Sequence, residues 1–378
     1  MEKKLCFKIG NKWIGQGSPV FIIAEAGSNH DGKLEQAKKL IDIAAEAGAD
    51  AVKFQLFRAS KIYTPNCGKI LTPQGKLDLY KFFKKAEMPF KWIPLLKKYA
   101  EKKELLFIVS PFDEEAADEL ERNNIKVYKI ASPELNHLPL LTYIAKKKKP
   151  MIISSGFSTL SDIEEAVITI YKENNREIAL LHCVSSYPAP PEEYNLKVIK
   201  TLESAFQIPI GISDHSLDPI LIPRLAVASG ASIIEKHFTL DKKLSGADHS
   251  YALDPEELKL MVKEIRKVEK WGQEEKDKFL ESSPLYKKIL GTGQKTVAPS
   301  EKEIYPGDKR SIFIIKDLKK GDKLDRNNLA ILRAERYLKP GLHPRYFDLV
   351  LGKIVVKPVK KYNGLQWEHL LKIQTWKK

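Results

Sequence analysis

Two histidines of this 378-residue chain end consecutive apolar runs and could form a metal site. His215 is in PIGISDHS, and His237 is in SIIEKHFTL, the next apolar run. Neighbouring strands lie about 4.8 Å apart, so both imidazoles could reach one cation. Two ligands leave open coordination positions for water or a substrate oxygen. Glu235, on the same strand face as His237, could fix the tautomer and orientation of that imidazole. The alternative is that each histidine only caps its strand by hydrogen bonding.

Lysines and serines at the ends of other apolar runs indicate anion binding. Lys53 and Lys129 stand where a lysine is rare unless paired. Hydroxyl groups in comparable positions could complete a phosphate or carboxylate cradle, and they belong to Ser110, Ser132, Ser154 and Ser213. Any one serine alone is better explained by a local turn or cap, so the prediction rests on the set. A second scheme is a Schiff-base aldolase that uses Lys53, Lys129 or Lys236, but the histidine pair favours the metal scheme.

Two glutamates are candidates for moving a proton or placing a water molecule. Glu25 ends the first apolar run, in AEAGSNHDG, and Glu134 follows Ser132 in KIASPE. A carboxylate in such a position can act as a general acid or base. The alternative for each is a buried salt bridge with a strand-end cation.

These residues need a common scaffold, and the pattern of apolar runs supplies one. Eight short runs alternate with amphipathic helical stretches: VFIIAEAG, AVKFQLF, LLFIVSPF, VYKIAS, PMIISSG, IALLHCV, PIGISDHS and SIIEKHFTL. Such alternation over about 250 residues predicts an α/β fold, a closed (β/α)₈ TIM barrel, whose strand ends form one ring around the active site. That ring would hold Glu25, Lys53, Gln55, Ser110, Lys129, Ser132, Ser154, His182, Ser185, Ser213, His215, Glu235 and His237. An open doubly wound sheet is disfavoured because no GxGxxG follows the first run.

The pattern changes near residue 271, which predicts a second domain. We expect a catalytic barrel over 1–275, a linker over 276–298 and a small β-rich domain over 299–370. WGQEEKDKFLESSPLYKK predicts a last polar helix, and GTGQKTVAPSEKEIYPGDK an exposed connection. RSIFIIKDL, NNLAILR and LVLGKIVV predict strands, with a turn over 319–322.

Composition limits the class of protein. The net charge is +15, but the lysines are spread beside glutamates instead of forming one basic block, which disfavours nucleic acid as a partner. Cys6, Cys67 and Cys183 form no CxxC pair, so neither a disulfide framework nor a structural zinc site is expected. No signal-peptide pattern and no long apolar run occur, so we expect a cytoplasmic protein without a membrane span.

The motifs AEAGSNHDG, VKFQ, KIASPE, HCVSSYPAP, GISDHS and GADHSYALDPEE together resemble the sialic acid synthase family, which includes legionaminic, pseudaminic and spore-coat polysaccharide synthases. KRSIFIIKDLKKGDKL resembles the family's antifreeze-like (SAF, β-clip) domain. The resemblance implies a divalent metal, Mn²⁺ with Mg²⁺ or Co²⁺ as alternatives, on His215 and His237, with Glu235 as the supporting carboxylate. It implies phosphoenolpyruvate contacts from Lys53, Ser110, Lys129, Ser132, Ser154, Ser185 and Ser213. It implies sugar contacts from Gln55, Glu134, Tyr187, Asp248 and Arg310, the arginine coming from the partner subunit of a domain-swapped homodimer.

The resemblance also implies the reaction: phosphoenolpyruvate condenses with an N-acylated amino sugar, and Glu25 places the water that adds. N-Acetylmannosamine and 2,4-diacetamido-trideoxyhexoses are the alternative acceptors, because the sugar-contacting segment KIYTPNCGKILTPQGK, including Gln74, diverges from the family. An ice-binding role for the C-terminal domain is disfavoured by its charge at Lys309, Arg310, Lys316, Asp317, Lys319 and Lys320.

Overall fold

The computed structural model describes residues 5–72, 75–246, 248–303, 305–335 and 337–371, so Gln74 lies outside the described residues. Eight parallel strands form a closed barrel in which each strand pairs with the next and the last pairs with the first. The strands are β1 (Phe21–Gly27), β2 (Ala51–Leu56), β3 (Leu106–Pro111), β4 (Tyr128–Ile130), β5 (Met151–Ser154), β6 (Ile178–Cys183), β7 (Ile210–Asp214) and β8 (Ile233–His237). All eight predicted runs and the TIM-barrel prediction are confirmed.

Alternation along the strands places the polar side chains above an apolar layer. Phe21 and Ile23 pack in the barrel interior, and Glu25 follows two residues later on the same face of β1. The register sets Glu25 beside Lys53 of β2 and beside His237 of β8. The strand ends therefore bring their polar residues to one level at the mouth of the barrel.

Helices surround the barrel and bury their apolar faces against it. Their bounds are Leu34–Glu46, Ala59–Ile62, Leu79–Lys85, Ile93–Lys102, Glu114–Arg122, Leu138–Ala145, Leu160–Lys172, Val198–Phe206, Leu221–Ala228 and Pro255–Val268. None of the helices in the described ranges has the length and apolar character needed to cross a membrane. Hairpins form at Cys6–Ile9 with Lys12–Gly15, and at Lys69–Thr72 with Gly75–Asp78. Ile9 and Ile14 of the first hairpin join the interior apolar cluster.

The connection between the domains is less exposed than its sequence predicts. It begins with two helices, Gln273–Glu281 and Pro284–Leu290, where one was expected. The following segment was predicted to be exposed, but Lys295 and Glu301 are buried. Glu301 is held because its carboxylate accepts hydrogen bonds from the backbone N–H groups of Phe157 and Ser185, at 2.9 and 2.7 Å. The expectation of a solvated linker is therefore wrong for this segment.

The C-terminal domain is built on one antiparallel strand pair with its own apolar core. After the short helix Tyr305–Asp308, β9 (Arg310–Ile314) pairs with β10 (Leu329–Arg333), as predicted. The predicted turn is present, with the Asp322 N–H donating to the Lys319 carbonyl. LVLGKIVV is not the predicted strand. Its start belongs to the helix Phe347–Val350, and Gly352 then turns the chain with a φ of 81°.

Candidate active site

Two lysines and two glutamates form a buried charged centre at the mouth of the barrel. Lys53 Nζ lies 2.9 Å from Glu25 Oε1 and 3.7 Å from Glu235 Oε2. Lys129 Nζ lies 3.6 Å from Glu235 Oε1. Burial alone would raise the pKa of Glu235, but Lys129 and Lys53 outweigh it and lower that pKa to about 2. Glu235 is therefore anionic, and it holds two ammonium groups side by side.

Serine hydroxyls surround these lysines, as the sequence predicts. Lys129 Nζ donates to Ser154 Oγ at 2.6 Å, and Lys53 Nζ donates to Ser110 Oγ at 3.5 Å. Ser213 Oγ donates to Glu235 Oε1 at 3.0 Å. The arrangement supplies two cations and several hydroxyls within one buried region, which is the chemistry required to bind a small dianion.

The hydroxyls of Ser132 and Ser185 lie close to the backbone of Gly156 and complete this side of the site. The Gly156 N–H donates to Ser132 Oγ at 3.0 Å. A Cβ at Gly156 would lie 1.9 Å from Ser185 Oγ, so any side chain there would displace this hydroxyl. Cys183 Sγ lies 3.4 Å from Ser185 Oγ, and burial raises the pKa of this thiol to about 11. The thiol is therefore neutral and adds no charge to the cradle.

The two histidines lie together on the opposite side of the centre. Their ring centroids are 5.6 Å apart. A metal–nitrogen bond of about 2.1 Å puts each ring centre about 3.3 Å from the ion, so rings up to about 6.5 Å apart can share one metal. His215 Nδ1 lies 2.8 Å from the Val184 carbonyl, and donation to that oxygen would leave Nε2 as the free lone pair. Burial lowers the pKa of both histidines, which keeps the rings neutral.

The surroundings of the pair also fit a metal ion. His237 Nδ1 is buried without a hydrogen-bond partner, 3.8 Å from Asp248 Oδ2. Tyr187 stacks on His215 with ring centroids 4.1 Å apart. In the described part of the chain, no cluster of three or more His, Cys, Asp or Glu side chains could hold a metal. Protein ligation would thus be limited to the pair, and other positions would fall to water or substrate.

A cavity of about 510 Å³ lies between the mouth of the barrel and the C-terminal domain. Among the predicted residues it is lined by Gln55, Ser185, Tyr187, His237 and Asp248. Gln55 Nε2 donates to Glu25 Oε1 at 2.8 Å, while Glu25 Oε2 has no hydrogen-bond partner in the described structure. A larger cleft of about 740 Å³ lies outside the barrel and contains none of the predicted residues.

Glu134 occupies a different environment from the one its predicted catalytic role requires. Its carboxylate is fully buried, with Oε2 2.7 Å from Arg310 Nε and Oε1 2.6 Å from Arg333 Nη2. The two arginines lower its pKa against the effect of burial. A carboxylate held on both oxygens does not readily accept a proton, so the structure argues against general acid–base catalysis by Glu134.

Arg310 reaches this carboxylate from the same chain. Its guanidinium also donates to the Lys61 carbonyl at 2.6 Å, and its side chain is buried. The expectation that a partner subunit supplies Arg310 is thus not needed to explain the contact. Association into a homodimer stays a prediction.

The sequence reasoning missed the other residues that the C-terminal domain brings to the cavity. Arg333, Asp308 and Glu335 all line it, together with Tyr63 from the barrel. Arg333 ends β10. A charged residue at the end of the apolar run NNLAILR is a signal of a site residue that the sequence did contain. Asp308 and Glu335 carried no signal, because neither belongs to an apolar strand and they lie far apart in sequence.

Lys236, one candidate of the Schiff-base scheme, is fully engaged in a structural network. Its Nζ donates to Asp214 Oδ2 at 2.5 Å, to the Ser216 carbonyl at 2.7 Å and to Ser216 Oγ at 3.1 Å. Asp214 also accepts from Tyr194 Oη at 2.6 Å. An ammonium whose donors are all occupied is poorly suited to attack a carbonyl.

Comparison with known proteins matches both domains. Residues 40–277 match the NeuB family and residues 309–371 match the SAF domain. The chain is 47% identical over 369 residues to the spore coat polysaccharide biosynthesis protein SpsE of Bacillus subtilis, covering 97% of both chains. It is 38% identical to an N,N'-diacetyllegionaminic acid synthase of Campylobacter jejuni, covering 90% of this chain and 97% of that one.

Solved structures give the same result. The crystal structure of the Bacillus subtilis protein matches with a TM-score of 0.85 and 45% identity, covering 98% of this chain and all of that one, 100%. An N-acetylneuraminic acid synthetase of Leptospira borgpetersenii matches with a TM-score of 0.66 and 38% identity, covering 79% of this chain and 95% of that one. The chain is a member of the NeuB family, a TIM barrel followed by an SAF domain.

Proposed function

We propose that this protein condenses phosphoenolpyruvate with an N-acylated amino sugar and water to give a nonulosonic acid and inorganic phosphate. The observation that carries the proposal is the pair of buried lysines, Lys53 and Lys129, which flank Glu235 among serine hydroxyls. A phosphate and a carboxylate on one small molecule match two adjacent cations. The relatives named as synthases of legionaminic acid, pseudaminic acid and N-acetylneuraminate 9-phosphate support the same reaction class.

The acceptor is N-acetylmannosamine or a close relative, with 2,4-diacetamido-trideoxyhexoses of the legionaminic or pseudaminic type as alternatives. The resemblance of GADHSYALDPEE and the identity to a legionaminic acid synthase point to the sialic and legionaminic branch. The cavity beside His237, about 510 Å³, has the volume of a site for a small molecule such as a hexose.

Different residues of the site bind phosphoenolpyruvate and place the water molecule. Lys53, Lys129 and the serine hydroxyls fix phosphoenolpyruvate so that its methylene carbon faces the aldehyde of the open-chain sugar. A carbon–carbon bond forms, the aldehyde oxygen takes a proton and becomes a hydroxyl, water adds at the former enol carbon, and the carbon–oxygen bond to phosphate breaks. Glu25 has one free carboxylate oxygen, suited to placing that water molecule. Orientation of two bound substrates supplies much of the catalysis.

A divalent metal, Mn²⁺ with Mg²⁺ or Co²⁺ as alternatives, would be held by His215 and His237 and would polarise the aldehyde oxygen when bound. Asp248 Oδ2 lies 3.8 Å from His237 Nδ1, so its negative charge faces this ring. Tyr187 covers the face of the His215 ring and restricts its rotation.

The test is release of inorganic phosphate from phosphoenolpyruvate with a panel of amino sugars, with and without a chelator. We expect release that depends on the sugar, stops with chelator and returns with divalent cation. His237→Gln should abolish it, whereas His343→Gln, in the C-terminal domain, should not. Phosphate release that ignores the sugar, or full activity of His237→Gln, would contradict the proposal.

A further inference from the structure

The two histidines of the site are held to the barrel in different ways. His237 lies inside β8 and is paired with Glu25 of β1, so the sheet fixes its backbone. His215 is the first residue after β7, which ends at Asp214. Its backbone N–H donates to the hydroxyl of a buried tyrosine, Tyr194 Oη, at 2.7 Å. The position of His215 therefore depends on a side chain where that of His237 depends on the strand ladder.

The Tyr194 hydroxyl joins His215 to a buried ion pair. Its single proton is donated to Asp214 Oδ1 at 2.6 Å, while its oxygen accepts from the His215 N–H. The other carboxylate oxygen, Asp214 Oδ2, lies 2.5 Å from Lys236 Nζ. The two charged residues are at most 2% exposed, so neither charge is compensated by bulk water. Each of them therefore requires the other and the hydroxyl beside them.

This network encloses the chain on both sides of His215. Asp214 Oδ1 also accepts from the Ser216 N–H at 2.8 Å. Lys236 Nζ donates to the Ser216 carbonyl at 2.7 Å and to Ser216 Oγ at 3.1 Å. The residues before and after the histidine are thus tied to β8 through one ammonium group. Because all of these groups are buried, removing one partner leaves another unpaired, which is costly.

A second set of hydrogen bonds orients the imidazole and anchors the tyrosine. His215 Nδ1 lies 2.8 Å from the Val184 carbonyl, and the Ala189 N–H donates to the His215 carbonyl at 3.0 Å. His182 Nε2 donates to the Tyr194 carbonyl at 2.7 Å, which ties the tyrosine to β6. A shift of the His215 backbone would move its ring away from the other imidazole, whose centroid is 5.6 Å away.

We propose that Tyr194 is a positioning residue for the metal site. Together with the Asp214–Lys236 ion pair it holds His215 where this ring can share one ion with the other histidine. The inference rests on the proposed function, because it concerns the metal of that reaction. Loss of the tyrosine hydroxyl should weaken metal binding and leave the phosphoenolpyruvate side of the site intact, since side chains behind a ligand set its orientation.

The test measures binding of Mn²⁺ alone to the whole protein, from the decrease in the electron paramagnetic resonance signal of free Mn²⁺. Tyr194→Phe keeps the buried ring and removes the acceptor of the His215 N–H. We expect its Kd for Mn²⁺ to rise about 10–100-fold. Tyr128→Phe is the matched control, because it removes another buried hydroxyl, which donates to the Ala117 carbonyl and to Glu121. Its Kd should change less than about twofold, as expected for an independent site.

Two further measurements separate positioning from damage to the fold. Calorimetry of phosphoenolpyruvate binding should show less than about a twofold change in Tyr194→Phe, because Lys53 and Lys129 lie on β2 and β4. Saturating Mn²⁺ should restore kcat of this variant to near the wild-type value. If melting temperatures show that Tyr194→Phe has lost its fold, the double variant Asp214→Asn with Lys236→Met replaces it. That variant keeps an acceptor for the tyrosine but unties Ser216 from β8, so its Kd for Mn²⁺ should rise about tenfold.

An unchanged Kd in the folded variant, or an equal rise in Tyr128→Phe, would overturn the positioning role. A wild type that binds no Mn²⁺ would overturn it together with the metal site. Failure of the proposed reaction is seen separately, because the wild type would then release no phosphate with any sugar even when it binds Mn²⁺.

Discussion

Replacing Glu134 with glutamine should loosen the C-terminal domain from the barrel by about 3–5 kcal/mol, the usual cost of removing one partner from a buried ion pair. Glu134 is the anion for two buried arginines, Arg310 at 2.7 Å and Arg333 at 2.6 Å. A neutral amide has one acceptor oxygen, so it leaves at least one guanidinium without a partner in a dry site. The loss therefore falls on the contact between the domains.

Hydrogen exchange followed by mass spectrometry measures this loss locally, because a destabilised unit opens before the whole protein unfolds. Exchange of amides in β9 and β10 should become more than about 100-fold faster in Glu134→Gln, while amides of β6 and β7 should hold their rates. The control is Asp348→Asn, which breaks an exposed 3.5 Å pair with Arg326 and should change the free energy by less than about 1 kcal/mol. Unchanged exchange of β9 and β10 in Glu134→Gln would refute the assignment of this carboxylate as the link between the domains.

Three further outcomes are expected. Gly156→Ala should raise KM for phosphoenolpyruvate, because its Cβ would lie 1.9 Å from Ser185 Oγ. Gly272→Ala, whose Cβ would have no atom within 4 Å, should leave KM unchanged. Equal KM values for the two variants would count against the proposed phosphoenolpyruvate site. Burial lowers the pKa of His182 to about 3 from 6.5, so stability should fall as pH drops between these values, by up to about 1.4 kcal/mol per pH unit. Denaturant titrations should show that His182→Gln has a flatter pH dependence, and an identical slope would argue against a neutral buried ring. Borohydride reduction with substrate present should leave Lys236 unlabelled, and a peptide labelled there would revive the Schiff-base scheme.

The barrel and its ring of polar residues were predictable because their signals are local. A strand buried on both faces is a continuous apolar run, and a charge at its end, such as Lys53 or Lys129, is costly unless it is used or paired. Both lysines are paired, with Glu235 between them. Periodicity and the cost of burying charge thus sufficed for this half of the site.

The other half depends on how two domains meet, which periodicity does not encode. The neighbours of Glu134 in sequence leave a catalytic carboxylate and a buried salt bridge as alternatives, and its partners, more than 170 residues away, cannot be predicted from them. LVLGKIVV is predicted as a strand from its β-branched residues, but its start lies in the helix Phe347–Val350 and the turn at Gly352 interrupts the run. Such contacts are decided by tertiary packing.

The buried carboxylate of Glu301 has a practical consequence for dividing this protein. It accepts hydrogen bonds from the backbone N–H groups of Phe157 and Ser185, in two loops at the mouth of the barrel. Glu301 itself lies beyond the last barrel helix. Cutting the chain at residue 290, where the helices end, would leave both amides without their acceptor and deform the loop that carries Ser185. Chimeras that exchange C-terminal domains between relatives should therefore be joined after residue 303, so that each barrel keeps its own Glu301 carboxylate.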